Sequence, residues 1–360
     1  MRLSSLDRLR RDLRETDGKI VELLNERALL SMKIGRDKAK KGLDVFDASQ
    51  ESKLFEYVAK VNEGTLPEKY LKAIFREIIS ASRVLQKPVA VAYLGPHSTF
   101  SHLAAQSYFG TSTSFVPQAS IFHVFDAVEK GKVQWGVVPV ENSLEGSINL
   151  TLDRLILSPL KIRAEIFFRI SHCLLAHGRK MSRIKRVYSV PQVLAQCQGW
   201  LRTNLPRCVL AVAESSVAAA RIIRDDKYGA AIGSRLAAAT YGLNILSEGI
   251  EDNPSNTTRF LVIGEGKTKM TGTDKTSILF GTRHVPGALY HALEPFVLRR
   301  INLMKIESYP LKERLWEYLF FVDFSGHADD PEIRKCMKAA RGKTNFLKIL
   351  GSYPRGEETR

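Results

Sequence analysis

The sequence has few cysteines: Cys173, Cys197, Cys208 and Cys336, with no CxxC pair and no histidine cluster beside them. That pattern disfavours a disulfide framework and a zinc site, and predicts free thiols in a reducing compartment. Long apolar runs are also lacking, since none approaches the ~18–20 residues that cross a bilayer. The opening stretch, MRLSSLDRLRRDLRETD, has no apolar centre of the kind an export signal needs, so a cytoplasmic location is expected. A dinucleotide fingerprint is absent, and with no ligand cluster either, no metal or organic cofactor is expected. Acidic residues are outnumbered, 38 to 54, for a formal charge of +16. The excess is spread out: 19 basic against 14 acidic residues over 1–88, 20 against 13 over 89–270, and 15 against 11 over 271–360. The densest basic cluster, Arg179, Lys180, Arg183, Lys185 and Arg186, has no aromatics between its charges to stack on bases. Nucleic-acid binding is therefore not expected, whereas small anionic substrates suit the charge.

What is present is an ordinary globular composition, 44% hydrophobic and 26% charged, over 360 residues. That length predicts two or three domains. Residues 3–39 read as one helix, because Leu6, Leu9, Leu13, Ile20, Leu23, Leu24, Leu30 and Ile34 recur at helical spacing. At ~1.5 Å per residue such a helix is roughly 50 Å long, too long for one small domain to cover, and self-association through its apolar stripe is expected. Shorter helices follow near 49–62 and 67–86. From residue 89 short β-rich runs alternate with helical stretches: VAVAYL (89–94), WGVVPV (135–140), CLLAH (173–177), VYSV (187–190), CVLAVA (208–213) and RFLVI (259–263). That alternation predicts an α/β domain. Beyond the polar linker GEGKTKMTGTDK (264–275) the pattern is strand 276–281, helix 287–299, strand 303–309, strand 315–324, helix 331–341 and strand 346–352. A βαββαβ order of this kind is a small ferredoxin-like unit.

On the first helix Arg27 and Lys38 are separated by 11 residues and share a line on one face, about 20° apart in projection at ~100° per residue. Arg10 lies roughly 100° around the helix from Arg27, so a partner's helix is better placed to use it than its own chain. Ser82 and Gln86, and Asp47 and Glu51, are i,i+4 pairs. Taken singly, these residues read better as a solvated helix face, since charged residues on helices mostly face solvent. Together, Leu9, Arg10, Asp17, Glu26, Arg27, Gly35, Lys38, Asp47, Glu51, Ser82 and Gln86 resemble the all-helical chorismate mutase family over nearly all of residues 3–87. The resemblance implies that Arg27, with Arg10 of the other subunit in an intertwined dimer, binds the carboxylates of chorismate. It assigns Lys38 and Gln86 to the ether oxygen, Glu51 to the substrate hydroxyl, and Asp47 and Ser82 to supporting contacts. The chemistry suits these types: a Claisen rearrangement needs a held geometry and fixed donors, not a nucleophile. Gln50 stands where relatives often carry arginine.

Three stretches of the second segment concentrate hydroxyls and amides near element ends: GPHSTFSHLAA (95–105), PVENSLEGSINLTLD (139–153) and NTTRF (256–260). Serines and threonines there also serve as caps and turns. In this order, and with YSVPQVLAQC (188–197), ESSVAAAR (214–221) and GSRLAAATYGLNIL (233–246), they resemble prephenate dehydratase over 89–265. The implied fold is two α/β lobes with the site between them. Thr258 would assist departure of the ring hydroxyl as carbon dioxide is lost. Thr99, Ser101, Asn142, Ser143, Ser147 and Thr257 would bind and orient prephenate, and Arg259 would add positive charge. Ser98 and Val190 depart from the family pattern, where glycine and histidine are usual.

In the third segment HVPGALYHALEPF (284–296) and IESYP (306–310) resemble the ACT domain of prephenate dehydratases. That likeness implies a phenylalanine pocket between subunits, involving Gly287, Ala288, Leu289, Glu307 and Ser308, with Tyr309 replacing the usual arginine. The expected organisation is a mutase domain over 1–88, a dehydratase domain over 89–268 and an ACT domain over 274–354. The expected assembly is at least a homodimer, with chorismate and prephenate as substrates and phenylalanine as effector. Two rivals are a non-catalytic amino-acid sensor and an enzyme with only one live site. Retention of Lys38 and Thr258, which mere binding would not require, argues against the sensor.

Overall fold

The computed structural model describes residues 4–42, 46, 48–310 and 318–356. Two compact units emerge, residues 1–89 with 108–114, and residues 90–107 with 115–360. The first is helical: α1 (Ser5–Lys40), α2 (Ala48–Lys60) and α3 (Glu68–Gln86). Ser4 caps α1 by accepting the Asp7 N–H at 3.1 Å, and Gly42, at φ +62°, follows its end. Only Ser31 and Gly35 of α1 are buried, while Leu9 and Leu23 are each 63% exposed. The α1–α3 contact is close because Gly35 has no side chain: a Cβ there would lie 2.7 Å from Gln86 Cγ. Phe46 and Phe109 complete this unit's core, and the Arg83 guanidinium sits over their rings at 5.3 and 5.6 Å.

From residue 90 the elements are β1 (Ala90–Leu94), α4 (Phe100–Phe109), β2 (Ser114–Gln118), α5 (Ile121–Glu129), β3 (Trp135–Asn142), β4 (Gly146–Ser147), α6 (Asn149–Leu157) and β5 (Lys161–Arg169). The end of α4 and the first residue of β2 belong to the first unit and the rest to the second. A second lobe follows: β6 (Cys173–Ala176), β7 (Arg186–Ser189), α7 (Pro191–Gln196), α8 (Gln198–Asn204), β8 (Val209–Val212), α9 (Ser216–Ile222), β9 (Gly229–Gly233), α10 (Arg235–Tyr241) and β10 (Asn244–Glu248). The chain then returns through β11 (Thr257–Gly264), which inserts between β3 and β5, antiparallel to both. The first sheet therefore runs β2-β1-β3-β11-β5, with β4 on β3, and the second runs β10-β6-β9-β7-β8. After residue 273 come β12 (Asp274–Gly281), α11 (Ala288–Leu298), β13 (Leu303–Pro310), β14 (Tyr318–Ser325), α12 (Pro331–Arg341) and β15 (Phe346–Pro354). Their sheet order is β13-β14-β12-β15. The expected 315–324 strand begins at Tyr318; residues 315–317 lie outside the described residues.

One core joins the first sheet to the C-terminal sheet: Val138, Leu261 and Ile263 pack in one cluster with Leu279, Phe321, Leu350 and Tyr353. The sequence pattern did not signal β2, β5, β9 or β10. In β5, KIRAEIFFR, charged Arg163 and Glu165 are buried, which disguises the strand. Among the described residues no helix is long and apolar enough to cross a membrane.

Candidate active sites

In the helical unit, Arg27, Ser31, Gly35 and Lys38 fall at i, i+4, i+8 and i+11, so one stripe of α1 carries all four. Arg27 Nη1 donates to Ser82 Oγ at 2.6 Å, and Gln86 Nε2 donates to Ser31 Oγ at 2.6 Å. Arg27, Ser82 and Gln86 are thus brought together, with Ser31 as an unforeseen bridge whose i+4 relation to Arg27 was readable. Burial lowers the Arg27 guanidinium from its ordinary value. Lys38 is half-buried on the same stripe. Glu51 faces the buried Arg83, Oε1 lying 3.3 Å from Nε. Sequence reasoning missed Arg83, whose buried charge restrains Glu51. Arg10 is exposed, 17 residues before Arg27 on the same helix, and Asp47 lies outside the described residues.

In the second unit, β11 pairing places Thr258 directly opposite Asn142. Asn142 Oδ1 accepts the N–H groups of Leu144 (2.9 Å) and Glu145 (3.2 Å), which fixes its amide orientation. Its Nδ2 then donates to Thr258 Oγ1 at 2.9 Å and to Asn256 Oδ1 at 2.8 Å. Thr258 Oγ1 is therefore an acceptor from Asn142, and its own proton is available for donation elsewhere. Asn256 Nδ2 continues the chain to Gln196 Oε1 (3.3 Å), which also meets His172 Nε2 at 3.1 Å. Gln196 Nε2 donates to Glu145 Oε1 at 3.0 Å, so its Oε1 accepts and His172 carries its proton on Nε2. Burial lowers the pKa of His172, keeping the ring neutral. Asn256, Gln196, Glu145 and His172 were missed, although the first three sit inside motifs that drew notice.

Ser143 joins the same corner. Its N–H donates to Thr257 O at 2.9 Å and its Oγ accepts the Thr257 N–H at 3.0 Å, so Thr257 contributes through its backbone. Thr99 Oγ1 bonds the Leu94 and Pro96 carbonyls, both at 3.1 Å, holding the 95–99 turn, and Ser101 is buried. Ser98 adopts φ +69°, the left-handed conformation that glycine supplies without strain. It is held by Thr240 Oγ1 at 2.8 Å and by Ser234 Oγ, which donates to Ser98 O at 2.7 Å.

Three expectations need correction. Arg259 does not join Thr258 and Asn142: it is 8% exposed and lies against Glu165 (Nε–Oε2 2.9 Å) and Asp323 (Nη1–Oδ2 2.7 Å). Ser147 donates to Glu307 Oε2 at 2.5 Å, and Glu307 is thereby committed to Ser147 instead of the pocket beside Gly287. The reason is strand alternation. Thr258 pairs with Asn142 while Arg259 and Ser147 both pair with Glu141, so these three face the other side of the sheet. Tyr309 is buried on that side, its hydroxyl bonded to Asp153. Gly287, Ala288 and Leu289 instead line a cavity of about 250 Å³ with Tyr290, Tyr318 and Phe320, while Ser308 is exposed.

Residues 9–87 match the family model for chorismate mutase type II, and residues 91–268 match that for prephenate dehydratase. A bifunctional chorismate mutase/prephenate dehydratase of Aquifex aeolicus is 44% identical, with the alignment covering 98% of this chain and 99% of that protein. The chain belongs to the bifunctional chorismate mutase/prephenate dehydratase family. Another member, from Stutzerimonas stutzeri, is 40% identical over 97% of this chain and 98% of its own. The solved prephenate dehydratase of Arthrobacter aurescens, in complex with L-Phe, is 33% identical with a TM-score of 0.69, over 75% of this chain and 91% of that one. Chorismate mutase/prephenate dehydratase membership accounts for a helical unit and a two-lobed α/β unit in one chain. It makes the protein an enzyme of phenylalanine biosynthesis, with an isomerase and a lyase activity.

Proposed function

We propose that Arg27, Lys38, Gln86 and Glu51 hold chorismate in the helical unit, and that Thr258 with Asn142 drives dehydration in the two-lobed unit. In the first site Arg27 binds a carboxylate, and Lys38 and Gln86 donate to the ether oxygen as its C–O bond breaks. Fixed donors lower that barrier because they are already oriented when charge develops. Ser31 and Ser82 aim Gln86 and Arg27, and Arg83 restrains Glu51 for the substrate hydroxyl. The remaining carboxylate falls to Arg10 of a second copy, and the exposed apolar stripe of α1 is the surface on which that copy would pack.

Prephenate must lose its ring carboxylate as carbon dioxide, pass that electron pair into the ring, and expel the hydroxyl at the opposite carbon. The departing hydroxide takes a proton and leaves as water. One observation carries the reading: Asn142 Nδ2 donates to Thr258 Oγ1 at 2.9 Å, which turns the threonine O–H outward as a hydrogen-bond donor. Asn256, Gln196 and neutral His172 hold that amide in place, while Ser143, Thr99 and Ser101 line the approach.

Beyond residue 273, the βαββαβ unit reads as a ferredoxin-like ACT domain that binds phenylalanine at Gly287, Ala288 and Leu289 and inhibits the dehydratase. The Arthrobacter aurescens relative, solved with L-Phe, supports the effector's identity. A cytoplasmic location fits such a biosynthetic enzyme. The test supplies purified protein with chorismate and follows phenylpyruvate. Lys38→Ala should form no prephenate, whereas Thr258→Ala should accumulate it; full dehydration by Thr258→Ala would refute the site.

A further inference from the structure

The face of the catalytic strands turned away from Thr258 carries a set of charges for which catalysis by contact gives no account. Arg259 follows Thr258 directly and projects to the opposite side, where three strands meet it. Glu165 on β5 approaches Nε at 2.9 Å, Asp323 on β14 approaches Nη1 at 2.7 Å, and the Tyr353 hydroxyl on β15 accepts from Nη2 at 3.1 Å. Lys275 Nζ on β12 lies 2.8 Å from Glu165, and Ser277 Oγ donates to Asp323 Oδ1 at 2.5 Å. Two cations and two carboxylates therefore balance inside a buried layer. Burial alone would lower the Arg259 pKa, but Tyr353, Asp323 and Glu165 outweigh it and raise it. Beside this set, Lys305 on β13 pairs with Glu141 at 2.8 Å, and Glu307 receives Ser147.

Adhesion does not require these charges. Leu261, Ile162, Leu279, Phe321 and Leu350 already join the two sheets in one apolar cluster. A buried ion pair is generally no more stabilising than a well-packed apolar pair of its size, but it accepts far fewer arrangements. Its effect is to fix the rotation and register of β11. Because strand side chains alternate, holding Arg259 on one face fixes where Thr258 points on the other.

We propose that Arg259 is a positioning residue for the dehydratase, and that the C-terminal unit, through Asp323, clamps the catalytic strand in its working register. Dehydration would then depend on a carboxylate that lies across the sheet from the substrate. The inference rests on Thr258 being the dehydration residue, and it predicts a separation of kinetic constants. A displacement well under one ångström at the reacting atom lowers turnover without weakening carboxylate binding.

The experiment measures prephenate turnover by the full-length chain carrying Asp323→Asn, Arg259→Lys, or both. Each single variant should lose at least about tenfold in kcat with KM within about twofold. The double variant should be no worse than the poorer single, since both act on the shared Arg259–Asp323 pair. Mutase activity in the same samples and near-UV circular dichroism report on integrity. If Arg259→Lys does not fold, the near-isosteric Asp323→Asn decides alone. Wild-type kcat in Asp323→Asn overturns the proposal, as does an Arg259→Lys variant that keeps kcat and raises KM tenfold or more, because that result marks a substrate ligand. Thr258→Ala, run in parallel, tests the site assignment separately: its retention of activity would discredit Thr258 whatever the Asp323 variant does.

Discussion

Ser98 holds a left-handed backbone at φ +69° where family members usually carry glycine, and the expected crowding of that turn is met by hydrogen bonds. Its Oγ reaches Thr240 Oγ1 at 2.8 Å and its N–H donates to His102 Nδ1 at 3.2 Å. His102 can accept because burial, reinforced by the neighbouring His97, lowers its pKa to about 4. A left-handed non-glycine residue is disfavoured by ~1 kcal/mol, close to the net worth of one hydrogen bond. Replacing Ser98 by Gly should therefore leave the urea midpoint nearly unchanged, since strain and hydrogen bond leave together. Ser98→Ala keeps the strain and loses the bond, and should destabilise by about 1 kcal/mol. Equal midpoints for the two variants would mean that the turn carries no strain. The same scale explains why Arg259 was misassigned. Its place in NTTRF signals importance, but a one-letter sequence does not say which face of the sheet a side chain takes.

The helices were legible because a helix is a local object. Leucine spacing over 3–39 matches α1 at Ser5–Lys40, and the 67–86 reading matches α3 at Glu68–Gln86. Packing between them hinges on Gly35, where a methyl group would meet Gln86 Cγ at 2.7 Å. Gly35→Ala should push Gln86 off Ser31 and lower mutase kcat by about tenfold or more, with dehydratase activity on supplied prephenate unchanged. Unaltered mutase turnover would show that Gln86 does not need that seat. Strands were harder. WGVVPV and RFLVI were read because they are continuous apolar runs, as central strands are. The strand GAAIG at Gly229–Gly233 is fully buried yet built from small residues, and β5 hides its burial behind charges satisfied elsewhere, Glu165 by Arg259 and Lys275, and Arg163 by Glu265 O and Thr268. Neither has a local signature.

Across the whole molecule, the mutase pocket raises a question of distance. Arg10 and Arg27 are 17 residues apart on one straight helix, about 25 Å along its axis. No single chorismate spans that gap, so the proposed pairing of Arg10 with Arg27 at one substrate requires two copies of the chain. Chains carrying Arg10→Ala and chains carrying Arg27→Ala should each lose mutase activity alone. Mixed under subunit exchange, half the dimers become hybrids with one intact site of two, and about a quarter of wild-type activity should return. A mixture that stays at the level of its parents would exclude a shared site.

Sequence alone determined the helical stripe that gathers Arg27 and Lys38, the α/β alternation, and the motif stretches that contain Asn142 and Thr258. Those properties depend on residues a few positions apart, whose relation is set by helix and strand periods. Tertiary structure alone decided that Asn142 meets Thr258 across 116 residues, that Gln196 and His172 extend that contact, and that Arg259 belongs to a buried charge layer with Asp323. Register between distant strands is fixed by the packing of whole sheets. A one-residue slip would exchange the faces of Thr258 and Arg259 without altering a single letter of the sequence.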